Sequence, residues 1–282
     1  MNTIEAILLG IIQGITEFLP ISSTGHLTVA GKLMNLISID NPERWTAFIA
    51  VIQLGTLLAV VLYFWKDLLS ILEDFIHDNL LDRKKFSDQT SNSRMGWYII
   101  FATLPVAVIG LGFKHIIEGV LTKDLYIIAG SLIVLAIILA VAEKTGRFTR
   151  KTKDFKWYDA VIIGFAQSFA LIPGSSRSGT TITAGLFLGF DRETAARFSF
   201  LMSIPAVAAS GLLEFYQSLK YIDHDGMINM IVATIASAVV GYLSIGLLLK
   251  YLKKNSTFVF IVYRIIAGII ILILLGKGII LP

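Results

Sequence analysis

Six apolar runs, near residues 44–65, 95–115, 124–144, 193–214, 226–250 and 257–279, are each long enough to cross a bilayer, and they leave the chain few folds to choose from. In hydrocarbon every backbone N–H and C=O must be paired within the protein, so only helices or a closed barrel can span. Continuous runs of about 20 residues, without strand alternation, select helices. With 55% hydrophobic and 16% charged residues over 282 positions, the chain reads as an all-α polytopic membrane protein, one integral membrane domain over 1–282. Met1-Asn2-Thr3-Ile4-Glu5 has no basic leader, so the first apolar segment is expected to stay in the mature protein. The chain has no cysteine, which excludes disulfides, thiolate nucleophiles and thiolate metal ligands. A net charge of +4 with basic residues at loops argues for membrane orientation and against a nucleic-acid partner.

Two further apolar stretches, about 4–37 and 158–189, are interrupted at their centres by polar clusters containing proline. The first break is Leu19-Pro-Ile-Ser-Ser-Thr-Gly-His26 and the second Pro173-Gly-Ser-Ser-Arg-Ser-Gly-Thr-Thr181. Non-helical backbone survives at membrane depth only where protein or a wet cavity covers it, so each stretch is predicted to be a re-entrant helix-loop-helix hairpin. The simpler alternative is a spanning helix kinked at proline. The two stretches resemble each other. Gly10-Ile-Ile-Gln13 with Pro20-Ile-Ser22-Ser23 matches Gly164-Phe-Ala-Gln167 with Pro173-Gly-Ser175-Ser176 after a one-residue gap. Each half, 1–145 and 157–282, then holds one hairpin and three crossings. An odd number of crossings inverts the second half, giving six transmembrane helices plus two re-entrant hairpins in an inverted repeat.

Basic residues orient this arrangement. Fifteen Lys and Arg fall on one side, among them Lys66, Arg94, Arg150, Arg192 and Lys250, against Arg44, Lys114, Lys123, Lys220 and Lys277 on the other. The richer side is expected to be cytoplasmic, with both termini outside, the first hairpin entering from outside and the second from the cytoplasm. Their loops should meet.

Gln13 and Glu17, four residues apart, share one helix face. A glutamate within an apolar hairpin is costly unless it meets a cation or donors. Ser22, Ser23, Thr24 and Gly25 open the following half-helix, whose free N–H groups favour an anion, although hydroxyls there also serve as ordinary helix caps. His26 is the one histidine of four beside a polar break; His77, His115 and His224 fall at loops or helix ends. Its chemistry suits acid–base work or transient phosphoryl acceptance. Arg177, among Ser175, Ser176, Ser178, Thr180 and Thr181, needs an anionic partner, Glu17 or a phosphate or each in turn. Arg264, inside the run 258–275 without hydroxyls around it, reads as a structural ion pair, and Glu193 with Arg197 as an i, i+4 pair.

These motifs carry a family resemblance. Gln13-Gly-Ile-Thr-Glu17-Phe-Leu-Pro-Ile-Ser-Ser-Thr-Gly-His26 resembles the (Glu/Gln)-x-x-x-Glu motif and following Ser-Ser-Thr-Gly-His of the undecaprenyl pyrophosphate phosphatases linked to bacitracin resistance. Residues 173–181 are similar to that family's Pro-Gly-x-Ser-Arg-Ser-x-x-Thr motif. The resemblance implies hydrolysis of the C55 isoprenyl pyrophosphate to its monophosphate, recycling the lipid carrier of cell-wall synthesis in a bacterial plasma membrane; the outward-facing first hairpin adds the expectation of a site open to the outer face. It also implies a divalent cation, Mg or Ca, near Glu17 and Gln13. Arg177 with Ser175, Ser176, Ser178 and Thr181, and Ser22 with Thr24, would bind the pyrophosphate. His26, Glu17 and Ser23 would supply the chemistry, leaving a serine nucleophile, a phosphohistidine and direct attack by water open. Partners are the prenyl pyrophosphate and membrane lipid. Gly110-Leu-Gly112 permits helix association and so a homodimer, without specifying one.

Two rivals stand beside this reading. Inverted repeats with broken helices also build secondary transporters, so a carrier or lipid flippase is the alternative from another class. Phosphatidic-acid-type phosphatases need a second histidine further on, and only His224 follows Arg177.

Overall fold

Asn2 starts the first helix because its side chain accepts the Glu5 N–H at 2.9 Å while the Glu5 carboxylate accepts the Asn2 N–H at 2.7 Å. This reciprocal cap satisfies two N–H groups that the helix cannot. In a computed structural model, which describes residues 1–37, 42–112, 124–218 and 224–281, α1 runs Thr3–Thr16 and α2 Ser23–Leu33. Then come α3 (Pro42–Tyr63), α4 (Trp65–Ile76), α5 (Ser91–Gly112) and α6 (Leu125–Thr145). The second half holds α7 (Trp157–Ser168), α8 (Arg177–Phe187), α9 (Arg192–Ser218), α10 (His224–Leu252) and α11 (Phe258–Gly276). Lys114, His115, Lys123 and Lys220 lie outside the described residues.

Six of these helices, α3, α5, α6, α9, α10 and α11, are long and apolar enough to cross a membrane, where the six apolar runs predict them. Two boundaries differ for local reasons. Helix α5 begins at Ser91, four residues before the predicted span, because the Thr90 hydroxyl accepts the Ser93 N–H at 3.1 Å. A polar first turn is invisible to hydropathy. Helix α3 ends at Tyr63, and α4 follows where a loop was expected. Its apolar residues Trp65, Leu68, Leu69, Leu72 and Ile76 alternate with charges, so no apolar run marks it.

Between α4 and α5 the buried Asp78 accepts from Lys84 Nζ at 2.8 Å and from the Thr90 N–H at 2.7 Å. Those two donors, Lys84 first, hold the Asp78 carboxyl below the usual carboxylate range. His77 and Asp82 stand beside Asp78 like metal ligands, yet Lys84 also reaches Asp82 at 3.1 Å and supplies the cation. The expected Glu193–Arg197 pair does not form. Arg197 instead meets Asp67 of α4 at 3.1 Å, and Glu193 meets Lys253 at 3.3 Å, because neighbouring helices offer partners that a helix considered alone lacks.

Four short helices, α1, α2, α7 and α8, have 14, 11, 12 and 11 residues, too few to span. They form two pairs, α1 against α2 and α7 against α8. Helix α1 lies on α10, as α7 lies on α5, while α3 packs on α9 and α6 on α11. Glycines allow the docking. A Cβ on Gly164 would stand 2.5 Å from the Ala102 carbonyl oxygen of α5, and one on Gly10 would strike the Ala233 carbonyl of α10. Two long helices thus receive a short helix at the first residue of each repeated motif.

Candidate active site

Both breaks turn on a serine in an unusual backbone conformation. Ser22 has φ 75° and Ser176 φ 69°, a left-handed region that costs a non-glycine residue about 1–3 kcal/mol. Each repays part of that cost as a cap: Ser22 Oγ accepts the Gly25 N–H at 3.2 Å and Ser176 Oγ the Gly179 N–H at 3.1 Å. The same spacing separates Gly10 from Gly164, Gln13 from Gln167 and Ser22 from Ser176, so the caps align without the one-residue gap read from the motifs. Ser23 and Arg177, each the first residue of its helix, are therefore equivalent. Both aim at Glu17.

Glu17 is where the two breaks join. Its Oε2 accepts from Gln13 Nε2 at 3.0 Å and from Ser23 Oγ at 2.7 Å, while its Oε1 accepts from Arg177 Nη2 at 3.2 Å. The carboxylate is buried, at 7% exposure. Burying it this way is tolerable only because a cation and two neutral donors share its charge. A second link runs nearby, from Ser178 Oγ to the Leu19 carbonyl oxygen at 3.0 Å. The expected meeting of the two breaks is thus made by one ion pair and one hydrogen bond.

The other predicted residues divide by what they touch. Thr181 Oγ1 bonds Ser199 Oγ at 2.6 Å and the Arg177 carbonyl at 2.8 Å, while Arg177 Nη1 donates to the Ser199 carbonyl at 3.0 Å. These contacts set the guanidinium's direction. Arg177 Nε and Ser175 Oγ are buried with no partner among the described residues, so a donor nitrogen and a hydroxyl remain to be satisfied. Thr24 is half-buried on the first turn of α2 and makes no side-chain hydrogen bond among the described residues.

His26 does not join the Glu17 cluster. Its Nδ1 lies 2.7 Å from the Ser22 carbonyl oxygen, which can only accept, so Nδ1 carries the proton. When the ring is neutral, Nε2 keeps the lone pair and the Tyr263 hydroxyl, 2.6 Å away, donates to it. The two rings also stack, with centroids 5.5 Å apart and planes 12° from parallel. Tyr263 passes unnoticed in the sequence because one tyrosine in an apolar run is ordinary. Its place beside Arg264 was the available signal.

Arg264 corrects an expectation. No carboxylate pairs with it among the described residues; five backbone carbonyls do. Nη1 donates to Pro20 in the first break at 3.1 Å, and Nη2 to Ser175 and Gly174 in the second at 3.0 and 3.4 Å. Nε and Nη2 also donate to Leu132 and Ser131 of α6 at 3.2 and 3.5 Å. Breaks leave carbonyls without helical donors, and a rigid fork of five N–H groups answers several at once. The residue is fully buried, and a Cβ at Gly179 would stand 2.6 Å from its Nη1. A fixed positive charge thus lies under the N-terminus of α8.

The donor set also tests the implied divalent cation. Gln13 turns its amide nitrogen to Glu17, at 3.0 Å, and its buried Oε1 has no partner among the described residues, so Oε1, the Glu17 carboxylate and the Ser23 hydroxyl are the oxygens a hard ion could draw on. The Thr56 hydroxyl of α3, which sequence spacing could not reveal, accepts from Gln13 Nε2 at 3.4 Å. The residues fit Mg or Ca.

Comparison with known proteins follows the same lines. The family model described as bacitracin resistance protein BacA matches residues 6–270. An undecaprenyl-diphosphatase of Syntrophobacter fumaroxidans is 57% identical over 268 residues, 95% of each chain. Those of Chlorobaculum tepidum, at 50% over 100% of each chain, and Chloroherpeton thalassium, at 51% over 99% of this chain and 98% of its own, are similar throughout. With its two breaks joined at Glu17 and a family match over nearly its whole length, the chain belongs to the bacitracin resistance protein BacA family.

Proposed function

We infer that the protein hydrolyses undecaprenyl pyrophosphate to undecaprenyl phosphate and inorganic phosphate, and so recycles the lipid carrier of cell-wall synthesis and confers bacitracin resistance. The observation that carries this reading is one buried carboxylate, Glu17, shared by an amide from α1 and by a hydroxyl and a guanidinium drawn from the two helix breaks. A transporter site would need no activated hydroxyl. Phosphate release by purified protein in detergent tests the reading, because without compartments transport produces no phosphate.

The roles follow from hydrogen-bond direction. Ser23 donates to Glu17 Oε2, the relation of a nucleophile to its base, which favours Ser23 over His26 as the attacking group. The serine oxygen would form a bond to the terminal phosphorus as the phosphoanhydride bond breaks, Glu17 taking the hydroxyl proton. The C55 monophosphate leaves. Once Glu17 has passed that proton to the departing monophosphate, water attacks the phosphoserine and loses a proton to Glu17, which returns it to the Ser23 oxygen as the O–P bond breaks and inorganic phosphate departs. Arg177, its Nε unsatisfied, and Ser175 hold the terminal phosphate, helped by the α8 N-terminus. Ser176, Ser178 and Thr181 shape that end of the site, and Ser22 with Thr24 opens the facing helix. Gln13 and Glu17 would hold a divalent cation, whose chemistry when bound is to neutralise charge on the phosphate oxygens.

His26, with its proton fixed on Nδ1, presents Nε2 as an acid–base group guarded by Tyr263. Tyr263→Phe is expected to lower the rate of phosphate release about tenfold or more with little change in KM. It should also speed acylation of His26 by diethyl pyrocarbonate, followed by mass spectrometry. Unchanged activity together with unchanged labelling would remove Tyr263 from the site.

Several features support the inverted repeat of residues 1–145 and 157–282 with two re-entrant hairpins. The short helices cannot span, the serine caps are equivalent, and α1 packs on α10 as α7 packs on α5. The bias of basic residues favours termini outside and a site open to the outer face, where the pyrophosphate carrier is released.

A further inference from the structure

Away from Glu17, at the end of the molecule that carries α4, two cavities of opposite character meet at Leu201 of α9. The outer one, about 280 Å³, is lined by Lys66, Asp67 and Ser70 of α4, Ser91 of α5, Thr152 and Arg197. The inner one, about 340 Å³, is apolar, lined by Leu68, Ile100, Leu104, Ile204 and Pro205. Thr103, the polar residue on that wall, turns its hydroxyl back to the Ile99 carbonyl at 2.8 Å. We propose that the two together bind one anionic glycerophospholipid, its phosphate on Lys66 and Arg197 and an acyl chain in the groove between α5 and α9.

Three observations select that occupant. The charge is complementary: Arg197 and Lys66 face one carboxylate, Asp67, which pairs with Arg197 at 3.1 Å, and Lys66 makes no ion pair among the described residues. The neighbouring helix fits, because no residue of α4 is buried and its apolar Trp65, Leu69 and Leu72 are exposed, the pattern of a helix lying at the membrane interface. Polar residues at that level and an apolar slot beneath match a lipid head and tail. Finally, glycerophospholipids are the abundant anionic amphiphiles of a leaflet, so mass action favours them over the scarce prenyl carrier. The polar cavity also takes in the first turn of α5, whose N–H groups favour a phosphate.

The test is lipid retention by the purified full chain, read by native mass spectrometry after titration with phosphatidylglycerol or phosphatidylcholine of the same acyl chains. Wild type should prefer phosphatidylglycerol by about fivefold or more for each contributing cation. Lys66→Gln with Arg197→Gln should abolish the preference, and Leu104→Trp, at an exposed position in the groove, should weaken binding of both lipids. Should the double variant fail to fold, Lys66→Gln alone, at an exposed side chain, must still lower the preference. Equal retention of the two lipids, or a preference that survives loss of both cations, would overturn the proposal. So would displacement of phosphatidylglycerol by an equal concentration of a prenyl monophosphate, which would give the site to the carrier. Phosphate release plays no part in the readout, so the outcome is independent of the catalytic reading.

Discussion

Arg264→Met is expected to destabilise the protein by about 3–5 kcal/mol, through the carbonyls it leaves unpaired, and to abolish phosphate release. The guanidinium is fully buried and bonds five carbonyls, three of them in the two breaks. Methionine fills similar volume but leaves the Pro20, Gly174 and Ser175 carbonyls, which have no helical donor, unpaired, at about 1–3 kcal/mol each before relaxation. The breaks should then separate, and with them Glu17 from Arg177. Arg264→Lys should not rescue, because an ammonium has three donors on one atom and cannot span carbonyls on Pro20, Ser175 and Leu132 together. Thermal unfolding in detergent checks the stability, and phosphate release checks the site. A stable, active methionine variant would show that the breaks hold themselves together.

Glu17→Gln should leave the fold largely intact and lower phosphate release at least about a hundredfold, mostly in kcat. The amide keeps the size and can still accept from Ser23, but it cannot take a proton from it or balance the Arg177 charge. Cation dependence should weaken in the same variant, measured as the Mg or Ca concentration giving half-maximal activity, and excess chelator should silence the wild type. An unchanged cation requirement in Glu17→Gln would place the ion elsewhere.

How far these residues could be read in advance depends on whether the physics is local. Membrane-spanning helices announce themselves as length and hydropathy, so α3, α5, α6, α9, α10 and α11 were legible. Caps such as Thr90 and amphipathic pieces such as α4 were not, since neither makes an apolar run. Gln13 with Glu17 was legible as an i, i+4 pair, and Arg177 as a cation among hydroxyls. Ser199 and Thr56 were not, because they reach the cluster from α9 and α3 through the fold. Arg264 was misread for an instructive reason. A charge in an apolar run leads one to look for a carboxylate, whereas broken helices expose carbonyls, and which carbonyls converge depends on segments more than eighty residues apart.

The central claim is that the two breaks act as one phosphatase site, and a double-mutant cycle in detergent tests it most directly. Terminal phosphate release from a prenyl pyrophosphate would be measured for wild type, Glu17→Gln, Arg177→Ala and the two combined. The expected result is robust release by wild type, a loss of about a hundredfold or more in each single variant, and a combined variant little worse than either, because residues acting as a unit lose their function together. Silence in the wild type, or single losses that multiply in the double variant, would contradict it.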